Sequence, residues 1–447
     1  MTAAESPHGV AGFGSWDLAI SSLVRAARTS PFVAVQIARS TASLTELRDD
    51  PAGWSRLAPT TKEDVLADQM ARPPYGLRRC LPVKSIDLIV ESSGTSGGSK
   101  EVHYVGRRDM ARIRRCWAGY MRRLGISSAD VVAFTFPIGM SGGGIKHARA
   151  YEELGAKLLR IAQLSTEAKL SAMAYFRSTV LVATPAYLER LTFAARKTGK
   201  TLHDLGVRKV LTATQSVTTE WVRDIQETAG MKLYEWYGTS SGLAAFSCSE
   251  GMVNSRSERG TLHWAPNSTL LEVVDLKTGR WVGDGEQGEA VGTPLFSHAE
   301  GIFRFRTGDE VTYVAPGACL CGSSDPGIQS GTVRRLDDMF KVKGINVWSS
   351  ECEAVIFGFG QVADYRVRIR LDGERRERIS LEVRASVATD ELARGLEAAL
   401  QRHTGIRFEV LVKDPRVDWE QSTSGEAGKV KRWIDERRVP QAVVEAN

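Results

Sequence analysis

The chain has 447 residues, of which 42% are hydrophobic and 25% charged, a composition typical of a globular protein with two or three domains. Its formal net charge of +6 is small for this length, so it does not indicate a nucleic-acid partner, although it favours anionic ligands. No apolar run approaches the length of a membrane span, and the first residues lack the pattern of a signal peptide, so we expect a cytoplasmic protein without a membrane partner.

Residues 1 to about 90 are predicted to be mostly helical, because "LTELRDDPAGWSRL" and "TKEDVLADQ" carry helix-start signals. Apolar strands then alternate with amphipathic helical stretches, of which 107–123 is the clearest. This alternation predicts a parallel sheet with helices on its faces. The predicted strands are "IDLIV" (87–91 region), taken as buried, "DVVAFTF" (130–136), "AKLLRI" (156–161), "STVLVAT" (178–184), "VRKVLTAT" (207–214) and "MKLYEWYG" (231–238).

The pattern changes after about residue 260, where "STLLEVVDLKTGRW" and "QGEAVGTPLF" indicate antiparallel strands. From 338 onward we expect two strands around an Asp372-Gly373 turn, a helix from Thr389 to His403 and a last strand, "IRFEVLV". The predicted fold is therefore α/β, with a large N-terminal domain of mixed and parallel sheets (1–336) and a small α+β C-terminal lid domain (337–447).

Residues 91–100, "ESSGTSGGSK", combine glycines, hydroxyl side chains and a lysine directly after a predicted strand. Such a loop can point successive N–H groups at phosphate oxygens, although the spacing of a Walker P-loop is absent. By itself this stretch fits a linker or turn equally well. Likewise "FRFRTGD" (303–309) predicts a strand that ends at a tight turn, where Asp309 could bind a ribose diol or lie in an ordinary surface turn.

Three of the six cysteines and one histidine form a pattern of their own. Cys319 and Cys321 form a CxC pair, and Cys248 and His263 lie upstream with 14 residues between them. Three thiolates and one imidazole make a four-coordinate set typical of structural zinc. The alternative is that Cys248 is a small buried residue and His263 a hydrogen-bonded histidine. The other cysteines, which have no partner at useful spacing, are interpreted as core residues: Cys80, Cys116 and Cys352.

Taken together and in order, these motifs resemble the adenylate-forming superfamily, and most closely its phenylacetate–CoA ligase-like branch. The resemblance covers about residues 55 to 435. It is carried by "APTTKEDV" (58–65), "PPYG" (73–76), "SSGTSGGSK" (92–100), "SGGGIKHARAYEELGAKLL" (141–159), "TPAY" (184–187), "YEWYGTSSG" (234–242), "FRFRTGD" (303–309), "CLCG" (319–322), "DDMFKVKGINVWSSECE" (337–353) and "GKVKR" (428–432).

The resemblance implies the residues that bind the nucleotide and perform the chemistry. Lys429, Thr95 and Tyr237 would be catalytic, and Asp337 would be the hinge of the mobile C-terminal domain. Lys429 would bridge the acyl carboxylate and the α-phosphate, where negative charge builds up. The implied ATP-binding residues are Ser92, Ser93, Gly94, Thr95, Ser96, Gly97, Lys100, Thr214, Gln215, Tyr237, Gly238, Thr239, Asp309, Arg335 and Lys429.

The resemblance also implies the reaction and its partners. ATP and Mg²⁺ would activate a small aromatic carboxylic acid to an acyl-adenylate, and CoA would then accept the acyl group. Zinc is implied at Cys248, His263, Cys319 and Cys321, which match the positions where this branch often carries it. A homodimer is implied because members of the family commonly form dimers. The implied acid pocket contains Phe136, Met140, Gly142, Gly143, His147, Ala186 and Tyr187.

This chain departs from the family pattern at several positions. The family usually has a glutamate that helps to hold Mg²⁺ where this chain has Ser241, and Glu235 or Glu250 are possible substitutes. Lys146 and His147 would set an unusual acid specificity or face solvent. Arg334 replaces a common glycine. The departure at Ser241 keeps two alternatives open: transfer of the adenylate to an amine or a carrier-protein thiol, and a nucleotide-binding protein that has lost turnover.

The basic stretch at 107–123 is interpreted as a solvated helix face, with a docking face for CoA phosphates or an acidic carrier protein as the alternative. Its arginines are Arg107, Arg108, Arg112, Arg114, Arg115, Arg122 and Arg123.

Overall fold

The computed structural model describes residues 13–49, 51–92, 100–140, 142–213, 216–264, 268–296, 298–359, 361–385, 389–413 and 432–437. The chain divides into two compact units, the larger of which ends at Val333 while the smaller begins at Arg334. This division lies close to the predicted boundary at 336–337, and the mobility of the smaller unit stays a prediction. None of the described helices is both long and apolar enough to cross a membrane.

Helices and strands alternate along most of the described chain. The helices are α1 Phe13–Ala27, α2 Pro31–Ala38, α3 Leu44–Asp49, α4 Lys62–Ala71, α5 Arg107–Arg123, α6 Gly142–Leu154, α7 Thr166–Tyr175, α8 Pro185–Lys197, α9 Thr219–Ala229, α10 Ser349–Phe357 and α11 Asp390–Thr404. The strands are β1 Ile86–Glu91, β2 Val102–Gly106, β3 Val131–Phe134, β4 Lys157–Arg160, β5 Val180–Val182, β6 Lys209–Thr212, β7 Lys232–Gly238, β8 Ala244–Ser247, β9 Thr261–Trp264, β10 Thr269–Val274, β11 Gln287–Pro294, β12 Phe305–Val314, β13 Gly327–Gln329, β14 Arg334–Arg335, β15 Met339–Val342, β16 Ile345–Trp348, β17 Val362–Leu371, β18 Glu377–Ala385, β19 Glu409–Lys413 and β20 Trp433–Asp435.

The N-terminal region is helical, as predicted. Helix α4 begins at a capping box in which the Thr61 and Asp64 side chains each bond the other's backbone N–H. Helices α1 to α3 bury an apolar cluster against the sheet, and this cluster includes Trp16, Trp54 and, from β10, Leu270. These helices therefore belong to the core of the larger unit.

The parallel part of the main sheet has the order β4-β3-β5-β6-β7, which confirms the strand–helix alternation predicted from the sequence. Because successive residues of a strand point to opposite faces, Val132 and Phe134 pack with α5 and α6, whereas Ala133 packs in a second cluster on the other face. Helix α5 buries Met110, Ile113 and Trp117. Its seven arginines are exposed, and Arg114 pairs with Glu153 at 2.9 Å.

The sheet becomes antiparallel at β7 and continues in the order β7-β8-β9-β13-β12-β11-β10. The prediction for "IDLIV" as a buried strand of the parallel sheet is wrong. This segment is β1, which pairs antiparallel with β2 as a separate hairpin, and only Val90 within it is fully buried. An apolar run predicts a strand, but it does not specify the strand's partner, and here the partner is the next segment of the chain.

The smaller unit has its own core around Tyr365, Leu381 and Leu396. Strands β17 and β18 are antiparallel around the Asp372 turn, and α11 connects β18 to the parallel strand β19. Thr389 caps α11 and Gly405 ends it in the left-handed region. These elements confirm the α+β end of the predicted fold.

Candidate functional site

Tyr237 and Asp309, which the sequence places 72 residues apart, meet in the structure. The Tyr237 hydroxyl at the end of β7 donates to Asp309 Oδ2 at 2.7 Å, and both side chains are buried. The sequence predicts that Asp309 ends its strand at a tight turn, and this prediction is wrong. Asp309 lies within β12 at an irregularity in the pairing with β11, directly after Gly308, whose φ is +71°. The left-handed glycine bends the strand there and turns it toward Tyr237.

A tight turn, residues 238–242, follows Tyr237. Thr239 N donates to Leu243 O at 3.1 Å, and Gly242, at φ +104°, donates to Thr239 O at 3.1 Å. The hydroxyls of Thr239 and Ser241 lie 2.7 Å apart. At Gly238 a Cβ would lie 2.8 Å from the Trp236 ring, so only glycine fits at that position. We call these residues the 238–242 turn.

The glycines that begin α6 let the helix pack closely against its neighbours. A Cβ on Gly143 would lie 3.1 Å from the Trp236 ring, and one on Gly142 would lie 3.0 Å from Val90. Phe136 is half-buried with its ring centroid 6.2 Å from that of Trp236, whereas Met140 is 51% exposed. Phe136 therefore offers an apolar surface here, and the role of Met140 stays a prediction.

Lys146 and His147 are buried, so of the two alternatives left open for them the one in which they face solvent is wrong, and a role in acid specificity stays a prediction. The His147 ring stacks on Trp236 at 4.5 Å, and neither of its nitrogens has a hydrogen-bond partner among the residues that the structure describes. Burial lowers the pKa of His147 to about 3, so the ring is neutral. Burial also lowers the pKa of Lys146 to about 8, an effect that the charge of Glu300 partly opposes. Helical spacing contained a signal, because His147 lies one turn before the buried Tyr151.

Tyr187 is not brought to His147 or Phe136. It packs against the cluster on the opposite face of the parallel sheet, and its hydroxyl lies 3.4 Å from Thr166 Oγ1. Its role in the acid pocket stays a prediction.

The predicted phosphate loop connects β1 and β2, and only its flanks are described. Ser92 N donates to Glu101 O at 2.8 Å, and Lys100 Nζ lies 3.3 Å from Glu91 Oε2. Arg335 belongs to the smaller unit, where it precedes a short 3₁₀ helix. The following predicted residues lie outside the described part of the chain: Ser93, Gly94, Thr95, Ser96, Gly97, Thr214, Gln215 and Lys429. The side chains of Ala186 and Asp337 are likewise outside it.

Sequence reasoning missed a buried network of charges beside the turn. Arg78 is fully buried between Asp68, at 3.0 Å, and Glu300, at 3.3 Å. The other oxygen of Glu300 lies 3.3 Å from His103 Nδ1. Glu300 and Lys146 both line a cavity of about 20 Å³ that reaches Ser241, room for roughly one water molecule. No local motif joins these residues, which come from separate segments of the chain.

The four predicted metal ligands form a compact group, which we call the Cys/His cluster: Cys248, His263, Cys319 and Cys321. Their ligand atoms all lie within 4.8 Å of one another. The Cys248 and Cys319 sulfurs are 3.7 Å apart, and Cys321 Sγ is 3.3 Å from His263 Nε2. His263 Nδ1 is 2.9 Å from the Asp325 carbonyl, which directs Nε2 at the thiols. These distances fit tetrahedral zinc, in which sulfurs about 2.3 Å from the ion stand roughly 3.8 Å apart.

The residues around Ser241 do not fit a carboxylate-held Mg²⁺, which requires oxygen ligands and favours carboxylates. The Ser241 hydroxyl is paired with Thr239. Glu235 is buried, and its Oε2 accepts from Ser330 Oγ and Gly331 N, both at 2.6 Å. Glu250 accepts from Ser255 N at 3.0 Å. Both candidate substitutes are therefore engaged elsewhere in the fold.

Comparisons with known proteins agree with this arrangement. A family model described as "AMP-binding enzyme" matches residues 43–293. The chain is 26% identical over 421 residues to a phenylacetate–coenzyme A ligase of Thermus thermophilus, covering 88% of this chain and 91% of that protein. It is 25% identical over 338 residues to the enzyme of that name from Escherichia coli, covering 74% and 72%.

Among solved structures, a 2-hydroxyisobutyryl-CoA ligase in the postadenylation state matches with a TM-score of 0.79 at 20% identity, over 98% of this chain and 91% of that one. Since the family model covers more than half of the chain, the protein belongs to the AMP-binding enzyme family. Its similarity to several phenylacetate–CoA ligases confirms the predicted branch of the adenylate-forming superfamily.

Proposed function

We propose that this protein is an AMP-forming acid–thiol ligase that activates a small aromatic carboxylic acid with ATP and transfers the acyl group to CoA. The reaction class is supported by the family match and by the phenylacetate–CoA ligases to which the chain is similar. In the first step an oxygen of the acid's carboxylate attacks the α-phosphorus of ATP, and pyrophosphate leaves. In the second step the CoA thiol displaces AMP from the acyl-adenylate.

The observation that carries this proposal is the buried hydrogen bond between Tyr237 and Asp309 beside the 238–242 turn. It fixes one oxygen of the Asp309 carboxylate, which is proposed to accept hydrogen bonds from the ribose hydroxyls. Phe136, whose ring contacts the buried Trp236, supplies an apolar surface suited to an aromatic ring. Lys429 is proposed to stabilise charge between carboxylate and α-phosphate, and Asp337 to be the hinge between the two steps.

Acid-dependent exchange of radiolabelled pyrophosphate into ATP tests the proposal. The panel contains benzoate, hydroxy- and aminobenzoates, phenylacetate and fatty acids. We expect exchange with one or more aromatic acids, and a fall of about tenfold or more in Asp309→Asn, because ribose hydroxyls lose a charged acceptor. Asp204→Asn, on an exposed loop, is the matched control. Exchange with fatty acids alone would contradict the aromatic substrate.

The departure at Ser241 supports a second candidate, in which the chain binds nucleotide without turnover. ATP binding without exchange across the whole panel would favour it. A third outcome is AMP release with an amine or a carrier-protein thiol but not with CoA. It would show that the acyl acceptor is not CoA, while the adenylation step stays as proposed. The homodimer, the carrier-protein partner and the cytoplasmic location stay predictions.

We also propose that the Cys/His cluster holds a structural Zn²⁺. Its support is the distance set among Cys248, His263, Cys319 and Cys321, together with the backbone carbonyl that orients His263. Four protein ligands leave no open position for substrate, so the ion would stabilise the fold and take no part in the reaction.

A further inference from the structure

Lys146 places a charged amine in the interior of the larger unit. Its side chain is 1% exposed, and its Nζ donates to the Ser240 carbonyl at 3.1 Å. Within the described part of the chain this is the one hydrogen bond of the ammonium, which has three N–H donors. A buried ammonium with unused donors is unfavourable unless an anion or water completes its surroundings.

The ammonium faces the 238–242 turn. Lys146, Ser241 and Gly242 line the same cavity of about 20 Å³. A Cβ on Gly242 would lie 3.6 Å from Lys146 Nζ, so a glycine there leaves the approach to the amine open. The turn directly follows Tyr237, whose hydroxyl donates to Asp309, the residue proposed to bind the ribose.

The carboxylate of the cavity is already engaged. Glu300 lines it, but its two oxygens lie 3.3 Å from Arg78 and 3.3 Å from His103. Glu300 attracts the Lys146 charge without forming an ion pair with it among the described contacts. The remaining titratable group in the cavity wall is Tyr104, whose pKa burial raises, so it stays neutral. An added anion would therefore meet the ammonium without displacing an existing partner.

The charge at this turn is the same as that of a carboxylate-held metal. A glutamate that binds Mg²⁺ contributes a net charge of about +1 to a phosphate-binding site, and Ser241 with a protonated Lys146 contributes the same charge without an ion. A second cation beside Lys146 would instead be repelled.

We propose that Lys146 is a fixed cation that binds a phosphate oxygen of ATP at the 238–242 turn, in place of a divalent ion held through residue 241. The inference rests on the proposed function, because it takes ATP as the ligand. It predicts that binding of ATP by this chain depends little on Mg²⁺ and strongly on Lys146.

Calorimetric titration of ATP in buffer with or without added Mg²⁺, and without acid or CoA, tests the proposal; no chelator is used, because it would also remove the ion proposed for the Cys/His cluster. In Mg²⁺-free buffer we expect Lys146→Met to bind ATP about tenfold or more weakly than the wild type, the loss typical of one charge-assisted hydrogen bond. Lys200→Met, on an exposed residue, is the matched control and should bind as the wild type does. Equal metal-free affinity in Lys146→Met and wild type would overturn the proposal, as would wild-type binding that requires Mg²⁺.

A charge exchange provides a second, independent readout. Ser241→Glu should neutralise the ammonium and weaken metal-free ATP binding by about tenfold. The double variant Lys146→Met with Ser241→Glu should bind ATP only when Mg²⁺ is present. If the double variant stays as insensitive to Mg²⁺ as the wild type, Lys146 does not stand in for the ion.

Thermal unfolding separates this role from a structural one. Replacing a buried charge by an apolar side chain of similar length is often neutral or stabilising, so we expect the melting temperature of Lys146→Met to be unchanged or higher. A lowered melting temperature with unchanged ATP affinity would make Lys146 a structural counter-ion of Glu300. Because the titration needs no acid, a protein that binds ATP but activates no acid would contradict the proposed function and leave this test valid.

Discussion

The Cys/His cluster and the 238–242 turn both gather charged or polarisable groups at the ends of short strands, but they differ in what they provide. The cluster offers thiols and an imidazole, which are ligands and need an external cation to be stable as thiolates. The turn offers hydroxyls, backbone groups and the ammonium of Lys146, which is itself a cation. The two proposals therefore differ in the charge that the site itself supplies: the cluster is proposed to recruit a cation, and the turn to replace one.

We expect the strongest effect from the loss of one thiol of the Cys/His cluster. Cys321→Ser should abolish zinc binding and lower the melting temperature by roughly 5–10 °C, because three ligands do not keep the segments around Cys248 and Cys319 together. Metal content by mass spectrometry and calorimetry measure this effect. Cys116→Ser, which is outside the cluster, should keep one zinc per chain, and zinc retained by Cys321→Ser would exclude that residue as a ligand.

The next effect concerns the charges behind the turn. Glu300→Gln removes the anion between Arg78 and His103, and it should lower the free energy of unfolding by about 3 kcal/mol, since a buried guanidinium then lacks one of its two carboxylates. Unfolding by guanidinium chloride measures this change in the free energy of unfolding. Glu227→Gln, on an exposed helix face, should change it by less than about 0.5 kcal/mol. A loss no larger than this control would mean that the network contributes little.

The smallest effect appears only as a dependence on pH. Burial raises the pKa of Glu235 to about 7 from an ordinary 4.5, against the two hydrogen bonds it accepts. The folded state therefore holds a proton that the unfolded state has lost between about pH 4.5 and 7, so stability falls as pH rises through this window. Glu235→Gln keeps an oxygen acceptor and should remove this fall, which is at most about 3 kcal/mol. Denaturation of the wild type and of Glu235→Gln at pH 5 and pH 8 measures this loss of stability. An identical loss in both proteins would mean that a group other than Glu235 titrates.

Some elements of the fold and of the site could be predicted from the local sequence, and others could not. The strands β3 to β7 and helix α5 were predictable because apolar periodicity reports which face is buried. The Cys/His cluster was predictable because ligand type and spacing are themselves the signal. The partner of β1, the bend at Gly308 and the burial of Lys146 were not, because each depends on a segment that arrives from elsewhere in the chain. Lys146 is buried by Ser240 and Glu300, which lie far away in sequence.

The site residues divide in the same way. Tyr237 and Asp309 were identified through the family resemblance, and the structure adds the hydrogen bond that joins them. Arg78, His103 and Glu300 were missed, because charged residues in separate segments carry no common motif. Position 241 was recognised as a departure, yet Lys146, the residue proposed to compensate for it, could be identified only from the packing of α6 against the turn.

Strand β8 gives this arrangement a mechanical consequence. Its four residues, Ala244–Ser247, are all buried and form a strut roughly 13 Å long. The 238–242 turn precedes one end of this strut, and Cys248 directly follows the other. We expect that oxidation of the Cys248 thiol, or removal by a chelator of the ion proposed to bind it, releases the far end of the same strut. If ATP binds at the 238–242 turn, as proposed, its affinity would then report the redox and metal state of sulfur atoms at the opposite end of the strand.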